Sequence, residues 1–193
     1  MYTNSAYWHQ TRLDFKDKKH PIFIGSCGTY RLYTIKKLPT HRPRGRLDYQ
    51  LLYVASGKAH FYFDGKEEIV SAGNMVLYRP KEEQRYYYYG ADHPEVYWVH
   101  FTGNNVKNIL RKYGIADGVH VIYSGVSMEY KHLYMNMIEE LQLRKEDYEE
   151  LLVYYFMQLL ILLHRQILVK PHKKNPMIMD DMAQAVDYFR MHY

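Results

Sequence analysis

Cysteine is almost absent. Cys27 is the single one in 193 residues, so no disulfide can form within the chain and the fold must rest on burial. The opening stretch, MYTNSAYWHQTRLDFKDKKH, carries charges where a secretory leader needs an unbroken apolar core. The most apolar run, Leu151 to Leu163, is too short and too interrupted by polar residues to read as a membrane span. No G-x-S-x-G elbow and no phosphate-cradling glycine loop occur, and Cys27 has no histidine near it in sequence. His60, His93 and His100 sit on separate segments without ligand spacing. These absences argue against a disulfide scaffold, a secreted or membrane protein, a nucleophile-based hydrolase and a metal enzyme. A cytoplasmic location is the expectation.

Apolar residues are ample for a core at 47%, and aromatics reach 16%, with 22 tyrosines. Tyrosine pairs an apolar ring with a hydroxyl, so an excess suits ligand clefts and interfaces, although strand-rich cores also collect it. The net charge of +5 and a pI near 9.0 are compatible with a nucleic-acid partner without establishing one.

Residues 1–20 show no clean periodicity and read as an arm. PIFIGSC (Pro21 to Cys27) reads as a strand ending in a turn at Gly28, and Tyr30 to Ile35 as a second. Lys36 to Gly45 reads as a solvated loop. LDYQLLYV (Leu47 to Val54) is strongly β-prone. Lys58 to Phe63 and Lys66 to Val70 flank Asp64-Gly65, a pair suited to a tight hairpin. Met75 to Tyr78, Gln84 to Tyr89 and Glu95 to Phe101 are further strands. This many short strands at 8–12-residue spacing indicates a sandwich or small barrel.

Helices follow Gly103. Asn104 is a candidate N-cap for a helix to Lys112, and Ser127 for one running to Leu143, with Met128, Leu133, Met137 and Leu141 on one face. Asp147 to Val169 is the longest. Its apolar positions approach an a/d seam, which suits either burial against its own domain or packing against a second copy. Lys170 to Pro176 is a basic, proline-bounded linker, and a fresh helix begins near Asp180. The expected organisation is an arm (1–20), a barrel (21–103), a helical region (104–169), a linker (170–179) and a terminal helix (180–193).

The strand order resembles the cupin barrel, so metal chemistry is the first test. Arg46 and Asp48 stand about where a metal cupin carries paired histidines, and Gln84 stands at its later histidine position. A guanidinium there repels a cation. Alternation along the strands puts Val96, Trp98 and His100 on one side, and Gln84, Tyr86 and Tyr88 on one side of theirs. If those strands are neighbours, Trp98 offers a flat face to a sugar ring while Tyr86, Gln84 and Arg42 supply hydrogen bonds, a small-molecule site in outline. The alternative, that Trp98 and the tyrosines simply fill the barrel, is equally open from the pattern.

RPRGRLDYQLLYVASGKAHF, GNMVLYRPKEEQRYYY and above all YWVHFTG (Tyr97 to Gly103) resemble the N-terminal effector-binding and dimerisation domain of AraC-type bacterial transcription regulators. The resemblance spans roughly residues 20 to 193. It implies an α+β chain: an N-terminal cupin-like, jelly-roll-type β-barrel followed by an antiparallel helical dimerisation region. It also implies a small polar effector, with carbohydrate expected, and no cofactor. The ligand contacts it carries over fall at Arg42, Tyr86 and Trp98; with the strand faces read above, the expected ligand-binding set is Arg42, Gln84, Tyr86, Tyr88, Trp98 and His100, and the expected dimerisation residues are Leu152, Tyr155, Leu159, Leu162 and Gln166. The family's histidine and threonine contacts fall at Val96 and near Gly28, so arabinose itself does not fit. MDDMAQAVDYFRMHY is similar to the first helix of the family's DNA-binding domain, so DNA would be reached only through a domain beyond this chain. The competing expectation is a cupin-fold enzyme acting on a sugar.

Overall fold

The computed structural model describes residues 1–9 and 14–169. The expected linker at 170–179 and terminal helix at 180–193 lie outside them. Among the described residues ten strands form two antiparallel sheets. The larger has the order β1-β2-β9-β4-β7-β10 and the smaller β3-β8-β5-β6. In chain order these are β1 (Tyr2–Tyr7), β2 (Phe23–Arg31), β3 (Lys37–Arg42), β4 (Tyr49–Ser56), β5 (Lys58–Phe63), β6 (Lys66–Ser71), β7 (Asn74–Tyr78), β8 (Gln84–Tyr89), β9 (Glu95–Thr102) and β10 (Val121–Tyr123). The helices are α1 (Val106–Lys112), α2 (Met128–Leu143) and α3 (Tyr148–Leu168). The fold is α+β, with cupin-like facing sheets followed by a helical hairpin.

Two cores explain why LDYQLLYV reads as a continuous apolar run rather than an alternation. The larger sheet is covered on both sides, so neither face of β4 or β9 meets water. Leu52, Val54, Val96 and Trp98 face the smaller sheet and join Phe61, Tyr78, Tyr86 and Tyr88. Leu51, Tyr53, Tyr97, Val99 and Phe101 face the helices and join Leu133, Met137, Leu152, Phe156 and Leu159. The Asp64-Gly65 hairpin forms between β5 and β6 with both residues at positive φ, 51° and 75°, as a two-residue turn matched to strand twist requires.

Several expectations are corrected. Within the stretch read as an arm, residues 2–7 form a paired edge strand, in which Tyr2 to Tyr7 run antiparallel to Arg31 to Ser26. Gly28 is not a turn but the middle of β2. A Cβ there would lie 2.4 Å from the Trp98 ring and 2.9 Å from Ser5 Cβ, so the glycine is required by close approach across the sheet. The loop expected at 36–45 contains β3, whose Pro39 fits because it is an edge strand, and Pro43 follows its end.

In the helical layer, Ser127 caps α2, its hydroxyl accepting the Glu129 N–H at 3.1 Å. Leu133, Met137 and Leu141 are buried, but Met128 is exposed, because five residues before Leu133 is off the stripe. The α3 helix is longer than its apolar run suggested: at 21 residues and a mean hydropathy of 1.5 it could cross a bilayer by length and composition alone. In the fold its apolar side lies on the sheet, with Leu152, Phe156, Leu159, Leu160 and Leu163 buried. Leu152 and Leu159, expected at a subunit contact, are therefore consumed by the chain's own core at 1% and 0% exposure. Tyr155 and Leu162 are half-buried against the same cluster, and Gln166 packs beside Gly125. The outward positions are Tyr154, Ile161 and Leu168.

Candidate ligand-binding site

The six expected ligand residues converge on one place, the space between the sheets. Register explains it. In the smaller sheet Arg42 pairs with Gln84, Thr40 with Tyr86 and Leu38 with Tyr88, so the even-numbered residues of β3 and β8 share its inner face. In the larger sheet Gly28 and Leu52 flank Trp98, while Ser26 and Gln50 flank His100. β8 and β9 are therefore opposite walls rather than neighbouring strands. Arg42 is half-exposed at the rim. Gln84, Tyr86, Tyr88, Trp98 and His100 are buried.

The rings form a connected set. Trp98 stacks on Tyr30, Tyr30 meets Tyr88, Tyr88 meets Tyr86, and Tyr86 meets both Tyr78 and Phe61, at centroid separations of 5.4–6.3 Å. To this extent the aromatics fill the barrel. Four surface clefts, one of about 590 Å³ between Phe23 and the start of α3 among them, lie outside this space.

The polar groups divide into two sets. One is closed: Arg46 donates twice to Asp48, Nε to Oδ1 at 2.7 Å and Nη2 to Oδ2 at 2.8 Å, and His100 Nδ1 stands 3.2 Å from Asp48 Oδ1. Burial pushes the Asp48 carboxyl up, but its bonds from His100 and Arg46 outweigh that and hold it below the ordinary carboxylate value. Burial lowers His100, which is kept neutral despite Asp48. The other set is open. Arg42 Nη1 donates to Gln84 Oε1 at 2.9 Å, and Gln50 Nε2 to the Tyr86 hydroxyl at 3.4 Å. Gln84 Nε2, Gln50 Oε1 and the Tyr88 hydroxyl are buried with no hydrogen-bond partner. Tyr78 OH approaches the Arg85 backbone, and Trp98 Nε1 the Tyr30 hydroxyl, each outside hydrogen-bond geometry. Burial also keeps these phenols protonated, raising Tyr88 well above its ordinary value and Tyr30 to about 12. A buried polar atom left dry costs about 1–3 kcal/mol. Here such atoms lie on both walls, Gln84 and Tyr88 on the smaller sheet and Gln50, Tyr78 and Trp98 on the larger.

Sequence reasoning missed Gln50, Tyr30 and Tyr78. Counting by two from Leu52 reaches Gln50 and Asp48, so Gln50 was recoverable. Tyr30 was hidden by the misplaced turn at Gly28. Among the described residues no three His, Cys, Asp or Glu side chains gather into a metal-holding group.

Residues 26–174 match the AraC-like ligand binding domain. The chain belongs to that family. No curated protein matches it. Among solved structures, apo ToxT K231A from Vibrio cholerae is 12% identical, over 75% of this chain and 56% of its own length, with a TM-score of 0.47. Wild-type ToxT with a bound unsaturated fatty acid gives 14%, 72%, 52% and 0.40 in the same terms. A cupin protein from Bacteroides fragilis gives 16%, 40%, 64% and 0.33. The AraC-like chain thus spans just over half the length of ToxT. These overlaps are loose, and the family match alone carries the assignment.

Proposed function

We propose that this chain is the effector-sensing and pairing part of a cytoplasmic transcription regulator, and that it transforms nothing. The effector is a small polar molecule of the carbohydrate class, held between the sheets by Arg42, Gln84, Tyr86, Tyr88, Trp98 and His100. The chain pairs with a second copy through the outward side of α3 and reaches DNA through a domain attached after residue 180. The observation that carries this reading is the open set of buried polar atoms between aromatic walls, within a domain whose family is defined by ligand binding.

Transmission has a physical route. Trp98 touches the first strand directly: its ring lies 6.1 Å from that of Tyr7, and Ser5 flanks it across Gly28. A ligand against Trp98 would favour one placement of β1 over another, and such a difference is what a ligand must exploit to shift a population.

Thermal-shift screening against sugars, polyols and their acids tests the reading, because a binder of the native state at a hundred times its Kd adds about 2.7 kcal/mol of stability. Tyr88→Phe then removes one unpartnered hydroxyl and keeps the ring. It is expected to weaken the identified binder roughly tenfold and to leave the free chain at least as stable in thermal melts. Unaltered affinity in Tyr88→Phe would move the site elsewhere.

A further inference from the structure

The reading above leaves the effector's charge open, and the barrel's charge balance addresses it. Among the buried residues described, Asp48 is the one carboxylate facing between the sheets. The other buried carboxylate, Glu95, faces outward and is held by Arg31 at 2.6 Å and Lys131 at 2.9 Å. Asp48 is fully engaged, its two oxygens taken by the Arg46 fork and one also by His100. Of the carboxylates near the ends of the barrel, Asp14 accepts the Leu47 backbone N–H and Glu83 is paired with His41 at 2.9 Å. Arg42 faces the same interior, and its one described bond is to the neutral Gln84 oxygen. That bond sets the guanidinium beside the Gln84 amide, whose nitrogen belongs to the open polar set.

The interior and its rim thus hold two guanidiniums, the buried Arg46 and the half-exposed Arg42, against one inward carboxylate, with His100 neutral. Its surplus is a single positive charge on a fork-shaped donor. Guanidinium forks bind carboxylates through two parallel bonds, a geometry an amide oxygen cannot supply. Beyond the fork the unpartnered atoms are mixed: Gln84 Nε2 donates, Gln50 Oε1 accepts and Tyr88 OH can do either. Hydroxyl groups, which also do both, satisfy such a set. An alkyl chain would leave every one of them dry.

We infer, resting on the sensor reading, that the effector is a hydroxylated monocarboxylate of the aldonic or uronic acid class. Its carboxylate is bound by Arg42, and its hydroxyls by Gln84, Gln50 and Tyr88. A single negative charge balances the interior; a dianionic sugar phosphate would overfill it, and a neutral sugar would leave Arg42 uncompensated.

The test is calorimetry on the full chain with a panel of C5 and C6 aldonic and uronic acids. Their controls are the corresponding neutral sugars and polyols, the sugar 6-phosphates and hexanoate, an acid of the same length without hydroxyls. At least one hydroxy acid is expected to bind roughly tenfold or more tightly than its neutral counterpart and than hexanoate. Arg42→Gln should erase that preference, and Arg42→Lys should retain part of it, because the charge stays and the fork is lost. Thermal melts of both variants confirm that this half-exposed position is tolerated. Equal or tighter binding of neutral sugars, phosphates or hexanoate overturns the inference and leaves the sensor reading standing. So does a panel without any binding acid when another small molecule stabilises the chain. Preference for acids that survives in Arg42→Gln overturns the role given to Arg42. Failure of every compound class overturns both.

Discussion

At the residue scale the buried trio Arg46, Asp48 and His100 sets how the barrel responds to acid. His100 is lowered from its ordinary value of 6.5, chiefly by burial, with Arg46 and Arg42 adding repulsion and Asp48 opposing. The folded chain therefore binds fewer protons at this site than the unfolded chain once pH drops below that value. Unfolding free energy consequently rises with pH through the window just below 6.5, and this share of it is lost as pH falls. Asp48 has the same sign at lower pH: its folded value is depressed below 3.8, so its contribution is present above that and disappears beneath it. Urea unfolding of the wild type between pH 5 and 7 should show a positive slope, to which one histidine contributes up to about 1.4 kcal/mol per pH unit. His100→Gln should flatten that slope between pH 5 and 7. An identical slope in the variant would mean that His100 is not held neutral in the fold.

At the element scale the helical hairpin works as the outer cover of the larger sheet, and Phe156 is its anchor. Its side chain is fully buried, with its ring 4.5 Å from that of Phe101. Phe156→Ala should cost about 3–5 kcal/mol in denaturant unfolding, as large-to-small changes in a core do. A loss below about 1 kcal/mol would show that the hairpin sits loosely on the sheet. Elements were legible where a local signal coincided with the global arrangement: the Asp64-Gly65 hairpin, the Ser127 cap, and the alternation that sorts Gln84, Tyr86 and Tyr88 from Arg85, Tyr87 and Tyr89. They were illegible where tertiary pairing overrode local chemistry. Gly28 looks like a turn because what requires it, the Trp98 ring, arrives from 70 positions away. β10 has three residues and exists because β7 offers it an edge. The site residues on one strand could be grouped by periodicity, but which two strands face each other across the barrel is decided by sheet order, which periodicity does not encode.

At the scale of the whole molecule the question is what α3 does with the side it does not bury. Leu151, Tyr154, Gln158, Ile161, Arg165 and Leu168 recur at alternating spacings of three and four, a coiled-coil seam turned outward. Tyr154, Ile161 and Leu168 are 57%, 38% and 64% exposed. The helix begins among Glu149 and Glu150 and ends near Arg165, so an antiparallel copy would place acidic start against basic end. That arrangement uses residues one step round the helix from Leu152 and Leu159, which the chain's own core buries. Because Ile161 contributes little to the inner core, Ile161→Glu should leave the monomer's melting transition nearly intact. Two such carboxylates near the centre of a two-fold contact should weaken association roughly a hundredfold or more. Light scattering after size exclusion reads the outcome: a dimer for the wild type at tens of micromolar, and a monomer for the variant. A wild-type monomer at those concentrations would remove the pairing role from α3, and with it the route by which a ligand in the barrel could alter the spacing of two attached domains.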